Sequence, residues 1–332
     1  MNLEGSKVAV IGGAGLIGSH LVDRLRQEEV QEIRVFDNLY RGLRENLQES
    51  LKDPRVQLIA GDIVNMEDLN ASQGGTDYVL HLAAAWLLEC LEKPRFAVNV
   101  NIMGTFNVLD LCRDLGIKRL VFSSSASVYG NAVAVPMKED HPFNNRTLYG
   151  ATKVAGEQLC RAFHEMYRLN YVGLRYMNVY GPRQDYKSAY TVVIMKILDR
   201  LDQGLPPLIF GDGAQSYDFI YVEDAAAANI CAMKAEALDE FYNVGMGVKT
   251  SINELTHLIL EITGSSLKPQ YEPQGMTFVT HRVGSTEKAA RDLGFQAQTG
   301  LREGLEKLIA WRRSHKNTVG KSNGKEGSPA DS

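Results

Sequence analysis

The sequence has little of what would mark a secreted, membrane-bound, metal-binding or nucleic-acid-binding chain. Cysteine is scarce, 4 in 332 residues. Cys90, Cys112, Cys160 and Cys231 form no CxxC pair, which argues against a disulfide framework or a thiolate zinc site and fits buried thiols in a reducing compartment. The 7 histidines contain no HxxxH pair, and no metal is expected. Positive charge is not in excess: 36 Lys and Arg stand against 40 Asp and Glu, a formal net charge of -4. That gives no electrostatic basis for binding nucleic acid or an anionic membrane surface. No apolar run is long enough to span a bilayer. The opening residues Met1–Gly13 lack a charged segment followed by a long apolar stretch and a cleavage site, so a cytoplasmic location is expected. No internal repeat is visible.

What remains is an ordinary globular composition, 44% hydrophobic and 23% charged, on a chain long enough for a sizeable core. The first half alternates short Val, Ile and Leu runs with helical patterns. Strands are predicted at Lys7–Ile11, Glu32–Phe36, Val56–Ile59, Tyr78–Leu82, Arg119–Ser123 and Tyr171–Tyr176. Helices are predicted at Leu16–Glu28, Pro94–Leu115 and Leu148–Leu169. Such alternation predicts an α/β fold, a Rossmann-type doubly wound parallel sheet covered on both faces. From about Asn178 the rhythm changes and Gly and Pro punctuate often. Helical patterns there cover Ala189–Asp202, Val222–Ala235, Ile252–Thr263, Glu287–Leu293 and Leu301–Arg313. The predicted organisation is a sheet domain over 1–177, a smaller, mostly helical substrate-binding region over 178–315 interleaved with it, and a disordered tail over 316–332 rich in Lys, Gly, Ser and Asn.

The first predicted strand runs into Gly-Gly-Ala-Gly-Leu-Ile-Gly-Ser at Gly12. Gly13, Gly15 and Gly18 fit GxGxxG; Gly12, Gly15 and Gly18 fit GxxGxxG. Glycines let the backbone turn sharply and approach a pyrophosphate, whose charge then sits at a helix N-terminus. A glycine-rich turn alone is weak, but this one follows a strand, opens a helix, and is followed by Asp37 at the end of the second strand. An acidic residue there accepts hydrogen bonds from an adenosine ribose and repels a 2′-phosphate, which favours NAD over NADP. A nearby arginine can also welcome a 2′-phosphate, but Arg41 is read as a solvated loop residue. Asp62 and Ile63, after the third strand, are candidates for the adenine side.

Tyr149 and Lys153 lie four residues apart at a predicted helix start, on one face. A free tyrosine, with a pKa of ~10, is a poor base at neutral pH. A nearby ammonium and a cationic nicotinamide ring both favour the phenolate. Lowering the pKa by ~3 units takes about 4 kcal/mol of differential stabilisation. A strand ending in Phe122-Ser-Ser-Ser125 can bring a serine hydroxyl to the same substrate oxygen.

Taken in order, Gly12–Gly18, Asp37, His81–Ala84, Ser123–Gly130, Tyr149–Lys153, Arg175–Pro182 and Gly211–Asp224 resemble the extended short-chain dehydrogenases/reductases, the NAD-dependent epimerase/dehydratase family. Within it the chain most resembles nucleotide-sugar epimerases of the UDP-glucose 4-epimerase type. The resemblance implies Ser125, Tyr149 and Lys153 as catalytic residues, Lys153 also binding the nicotinamide ribose. It implies cofactor contacts from Gly12, Gly15, Leu16, Ile17 and Gly18, from Asp37, Asn38, Asp62 and Ile63, from Leu82, Ala83 and Ala84, and from Asn101 and Ser123. It implies Ser125, Ser127, Tyr149 and Asn178 on the substrate side; Trp86 and Tyr217, which depart from the family pattern, are substrate-side candidates too, Trp86 with a buried helix face as its alternative. Related 4,6-dehydratases carry an Asp-Glu pair, and sugar-acid decarboxylases a Glu, where this chain has Ala126 and Ser127. Elimination of water needs an acid and a base beyond the tyrosine. Redox at one carbon without elimination is therefore expected, as in 4-epimerisation through a transient 4-keto sugar. A net NAD-dependent oxidoreductase, a dehydratase and a non-catalytic NAD sensor are the alternatives.

Two departures from the family pattern concern the substrate. Tyr217 stands where an arginine that binds the diphosphate is expected, and a second such arginine, near Gly275, is also absent. Arg282, Arg183 and Lys187, in that order, are the cations expected to hold the diphosphate instead. The implied partner is a nucleoside-diphosphate sugar, UDP-linked by preference. A homodimer is expected through the helices around Ala97–Leu115 and Leu148–Leu169, with Leu159, Phe163, Met166 and Tyr167 at helical spacing.

Overall fold

The computed structural model describes residues 2–72, 74–184, 193–273 and 281–322, the last seven of these by their backbone alone. Lys187 and Gly275 lie outside the described residues. In chain order the first part comprises β1 (Lys7–Ile11), α1 (Leu16–Leu25), β2 (Glu32–Asp37), β3 (Val56–Ala60), α2 (Met66–Ser72), β4 (Tyr78–His81), α3 (Leu87–Glu92), α4 (Pro94–Val98), α5 (Thr105–Leu115), β5 (Arg119–Ser125), α6 (Leu148–Tyr167) and β6 (Tyr171–Tyr176). Then follow β7 (Asn178–Tyr180), α7 (Val193–Asp202), β8 (Leu208–Phe210), β9 (Ser216–Tyr217), β10 (Phe219–Tyr221), α8 (Val222–Lys234) and β11 (Glu240–Val244). The chain continues with β12 (Thr250–Ser251), α9 (Ile252–Thr263), β13 (Gln270–Glu272), β14 (His281–Arg282), α10 (Glu287–Leu293) and α11 (Leu301–Ser322).

Seven parallel strands form the central sheet in the order β3-β2-β1-β4-β5-β6-β11. The chain leaves β1 in one direction and returns for β4 on its other side. The ends of β1 and β4 therefore flank a topological switch point, where open α/β sheets bind ligands. Side-chain alternation along the strands explains why both faces are covered. Val8 and Val10 of β1 pack with Val35, Leu80, Leu21, Val22 and Leu25, and with Ala225, Ala228 and Met233 of α8. Ala9 and Ile11 face the other way, onto Phe36, Val79 and Phe122 and the α5–α6 layer of Val108, Leu109, Cys112, Cys160 and Phe163. A third core joins α7, α9 and α11 through Ile194, Leu198, Leu255, Ile259, Leu305 and Leu308.

Buried polar groups pin this frame. Arg175 of β6 forms an ion pair with Glu157 of α6 at 2.7 Å, and Ser124 donates to the same carboxylate at 2.5 Å. Arg119 is fully buried and donates to the Ala232 and Ala237 carbonyls, each at 2.8 Å, at the negative end of α8.

Several elements differ from the sequence reading. The seventh strand, β11, was not predicted. It is a short Phe-Tyr-Asn-Val run whose Asn243 is buried by design of its partners: its amide donates to the Met137 carbonyl at 2.9 Å and accepts from the Tyr129 hydroxyl at 2.6 Å. The latter region also contains two- and three-residue strands, too short for any periodicity to reveal. The predicted helix Pro94–Leu115 is divided into α4, a π-helical stretch Asn99–Gly104, and α5. At the C-terminus, α11 runs on to Ser322, past the boundary expected for a disordered tail at residue 316. Trp311 and His315 pack with ring centres 4.6 Å apart across one turn there.

Candidate active site

The glycine turn between β1 and α1 brings three chain segments together. Gly12 has φ +83, and a Cβ on it would come within 2.5 Å of the Ala83 nitrogen, so only glycine lets the ends of β1 and β4 approach this closely. A Cβ on Gly18 would meet the Gly12 carbonyl at 2.3 Å. Gly15 differs: its one near neighbour is the Gly12 carbonyl at 3.4 Å, and the space beyond is open crevice. Packing does not demand a glycine there, and the missing side chain leaves the backbone open to the crevice. Gly15 is also the N-cap of α1, whose first-turn N–H groups have no intrahelical partner and favour an anion.

On one side of this turn lies a small pocket of about 130 Å³, whose lining includes Asp37, Asn38, Gly42, Asp62, Ile63 and Ala83. Asp37 accepts the Ala14 N–H at 2.9 Å on one oxygen and the Leu39 N–H at 2.8 Å on the other. Burial nevertheless raises its pKa. Asn38 donates to Asp62 at 3.0 Å, tying together the ends of β2 and β3. On the other side opens a cleft of about 1420 Å³. Gly12, Gly15, Leu82 and Ala84 border both spaces.

Ser123, Ser125, Tyr149 and Lys153 line the larger cleft. The Thr147 hydroxyl caps α6 by accepting the Gly150 N–H at 3.0 Å, which sets Tyr149 and Lys153 one turn apart. Lys153 donates to the Ser123 carbonyl at 2.8 Å, and its Nζ lies 5.8 Å from the Tyr149 ring centre. Burial pushes the Tyr149 phenol up to about 12, against a hydrogen bond with Ser125 and the charge of Arg282, which pull it down. Burial lowers Lys153 to about 8. His81, behind them, is neutral: burial takes it to about 3, and its Nε2 lies 3.1 Å from the Thr105 hydroxyl. It is a packed strand-end residue.

Trp86, Asn178, Arg183, Tyr217 and Arg282 also line the cleft. Tyr217 and Arg282 are register partners on β9 and β14. The Arg282 Nε is buried, with no hydrogen-bond partner among the described residues. A guanidinium stays charged even where burial lowers its pKa, so this group can receive an anion. Arg183 is already paired with Asp23 at 2.6 Å, while its Nη1 has no such partner among the described residues. Asn178 donates its side-chain amide to the Asp218 carbonyl at 3.0 Å.

Two expected site residues do not line either space. Asn101 is buried in the π-helical stretch; its amide donates to the Ala85 carbonyl at 2.8 Å and the Thr152 hydroxyl at 3.0 Å, and accepts the Ala85 N–H at 2.7 Å. It ties the chain after β4 to α6 and so positions Tyr149 and Lys153 from behind. Ser127 is turned back onto Ser125, whose hydroxyl donates to it at 3.1 Å and accepts its N–H at 3.1 Å. Sequence reasoning missed His20, Phe210, Gln215 and Trp311 in the cleft wall. Phe210 is 47% exposed, which offers a flat aromatic face, and a glycine-flanked aromatic at Phe210-Gly211 is the one signal that could have marked it. Trp311 reaches the cleft from α11 and carries no local signal, whereas His20 lies on α1, two residues after Gly18, where its place next to the glycine turn could have marked it. Among the described residues, no group of His, Cys, Asp or Glu is arranged to hold a metal ion. Nor is any helix among them long and apolar enough to cross a membrane.

Comparison with known proteins gives concordant results. The sequence profile of the NAD dependent epimerase/dehydratase family matches residues 8–245. A UDP-glucose 4-epimerase of Mycolicibacterium smegmatis is 33% identical over 93% of this chain and 99% of its own length. The structure of a UDP-N-acetylglucosamine 4-epimerase from Methanobrevibacter ruminantium, in complex with UDP-N-acetylmuramic acid, superposes with a TM-score of 0.88 at 33% identity, covering 94% of this chain and 99% of the other. A UDP-glucose 4-epimerase from Thermotoga maritima with UDP-glucose gives 0.87 at 34% identity, covering 93% and 99%.

Proposed function

The chain belongs to the NAD dependent epimerase/dehydratase family, and on that premise we propose that it is an enzyme epimerising a nucleotide-linked sugar at C4, with a UDP-sugar as the favoured substrate. One observation carries this reading. Ser125, Tyr149 and Lys153 converge in a cleft that runs from the glycine turn to Arg282, and the turn holding Ser125 continues with Ala126 and Ser127, neither of them a carboxylate. Elimination of water would need a further acid and base. The acidic residues that do line the cleft, Glu45, Glu49 and Glu223, belong to other segments of the chain.

The residues present fit NAD, as the open space over Gly15 and the carboxylate of Asp37 in the adjoining pocket indicate. When bound, NAD would supply reversible hydride-transfer chemistry. Asp37 accepts hydrogen bonds from the adenosine ribose hydroxyls, and Asn38, Asp62 and Ile63 flank the adenine. Leu16, Ile17, Leu82, Ala83 and Ala84 bound the path between the two spaces. Ser125 holds the C4 oxygen of the sugar, and Tyr149 takes its proton. Burial within the protein's own walls holds the phenol neutral by a wide margin. The Lys153 ammonium and the cationic cofactor ring provide the charge that favours phenolate. The proton returns from Tyr149 to the same oxygen once the 4-keto sugar has turned its other face. Phe210 offers a stacking face for the nucleotide base. Arg282 is the leading partner of the diphosphate; Arg183, engaged by Asp23, is second.

A homodimer in the cytoplasm belongs to the same proposal. Met103, Phe106, Met166 and Tyr167 are exposed on α5, α6 and the π-helical stretch, whereas Leu159 and Phe163 of the predicted stripe pack inward. A monomer in light scattering at micromolar concentration would count against it. The test of function is product NMR after incubation with a panel of nucleotide sugars. A C4 epimer without net NADH is expected; a dehydrated product or steady NADH release would favour the alternatives.

A further inference from the structure

Two segments meet across the junction of the small pocket and the large cleft. The loop after β2 carries Tyr40 and Arg41, and the stretch from the start of α3 into α4 carries Trp86, Lys93 and Phe96. The Arg41 guanidinium lies over the Trp86 ring, 4.2 Å from its centre. Tyr40 packs on Phe96 with ring centres 5.5 Å apart, and Lys93 donates to the Tyr40 hydroxyl at 3.2 Å. Both segments are fixed from below. Leu39 takes φ +56 and donates its N–H to Asp37 at 2.8 Å, which turns the loop back over the pocket. Trp86 is the N-cap of α3, and its N–H donates to Glu89 at 2.9 Å.

Arg41 borders both spaces, as Gly12 and Gly15 do. A dinucleotide with its adenosine in the small pocket and its nicotinamide beside Tyr149 must run its pyrophosphate through that junction. The glycine turn offers backbone N–H groups on one side. We propose that Arg41, held by Trp86, is the cationic partner of the pyrophosphate on the other side, and that the two segments form a strap retaining NAD between turnovers. Stacking engages the face of a guanidinium, whereas its N–H donors lie in the plane and bond at the edge. The two contacts do not compete, and the indole restricts where the donors point. Trp86 is thus a positioning residue for the cofactor. The proposal rests on NAD as the cofactor and is independent of which sugar is turned over.

The test compares wild type with Arg41→Ala, Trp86→Ala, Trp86→Phe and the double alanine variant, all as the full chain. Calorimetry measures ADP, adenosine and UDP binding to protein freed of NAD. Stopped-flow chase measures release of NAD from loaded protein. Loss of a charge-assisted hydrogen bond corresponds to a roughly 10- to 150-fold loss in affinity. Arg41→Ala should weaken ADP by about that factor, speed NAD release, and leave adenosine unchanged. Trp86→Ala should act in the same direction but less, Trp86→Phe should restore most of the effect, and the double variant should be no worse than Arg41→Ala alone. Three results would overturn the proposal: ADP bound by Arg41→Ala as tightly as by wild type, equal losses for ADP and adenosine, or a loss confined to UDP. Each leaves the epimerase reading intact, because product NMR at saturating NAD reports on Tyr149 independently.

Discussion

Replacing Lys153 by methionine isolates the charge that Tyr149 depends on. The Nζ lies 5.8 Å from the Tyr149 ring centre, and at an effective dielectric of ~20 two unit charges about 6 Å apart interact by roughly 3 kcal/mol, or about 2 pKa units. Lys153→Met should therefore move the acid limb of the kcat/KM profile about 2 units to higher pH, lowering the rate at neutral pH roughly 100-fold. Saturating NAD keeps lost cofactor affinity out of the comparison. Stability should move the other way. The Lys153 pKa falls from 10.5 to about 8 on folding, so the folded state disfavours the ammonium. That penalty is complete below pH 8, fades as pH rises toward 10.5, and is gone above it, because only the unfolded chain still binds the proton in between. The variant should be more stable at neutral pH by up to about 3 kcal/mol, before the lost bond to the Ser123 carbonyl is counted. Denaturant melts of the cofactor-free protein at several pH values measure this. A limb that stays in place in a folded, NAD-loaded variant would refute the electrostatic role of Lys153.

Tyr149→Phe should fold and bind NAD normally while turnover falls ~100- to 10,000-fold, the range of a general acid–base group; near-normal turnover would reject Tyr149 as the base. Asp37→Ala should weaken NAD and narrow its margin over NADP, measured by fluorescence titration, and tighter binding of NADP than NAD by wild type would reject the ribose assignment. Arg282→Ala should weaken UDP binding to the NAD-loaded protein roughly 10- to 150-fold with NAD affinity unchanged. If wild type binds neither UDP nor GDP at millimolar concentration, calorimetry will have removed the nucleotide from the proposed substrate.

The parts of the fold that could be read in advance are those where one stretch of chain carries its own explanation. Each of β1 to β6 is a short run carrying Val, Ile or Leu, and each was located to within two residues of its observed limits. The glycine turn was legible as a pyrophosphate-binding motif because strand, turn and helix are consecutive. β11 hid because half of what makes it a strand lies elsewhere: Asn243 is tolerable in the core only because Met137, Ser285 and Tyr129 satisfy it. Asn101 shows the same limit at the site. The sequence marks it as a residue near the chemistry, but its amide is taken up by Ala85 and Thr152, contacts that only the folded chain reveals. Tyr149 and Lys153 were legible as a pair at helical spacing; that burial would set the phenol near 12 was not, since it depends on the walls around them.

The substrate half was hardest to read, and the reason bears on the missing arginine. Tyr217 and Arg282 are far apart in sequence, yet they are opposite each other on two-residue strands. Neighbouring strands are spaced ~4.8 Å apart, less than the reach of an arginine side chain. A cation supplied from β14 can therefore serve the space that one on β9 would have served, and the tyrosine left on β9 becomes a wall for it. The buried Arg282 Nε, without a hydrogen-bond partner among the described residues, agrees with this. Leaving such a donor unpaired is costly in a folded core, and a site that receives an anion recovers the cost when it is filled. On the proposed assignment of Arg282, the departure at Tyr217 is a relocation of the charge by one strand, which a one-position comparison with the family pattern registers only as a loss.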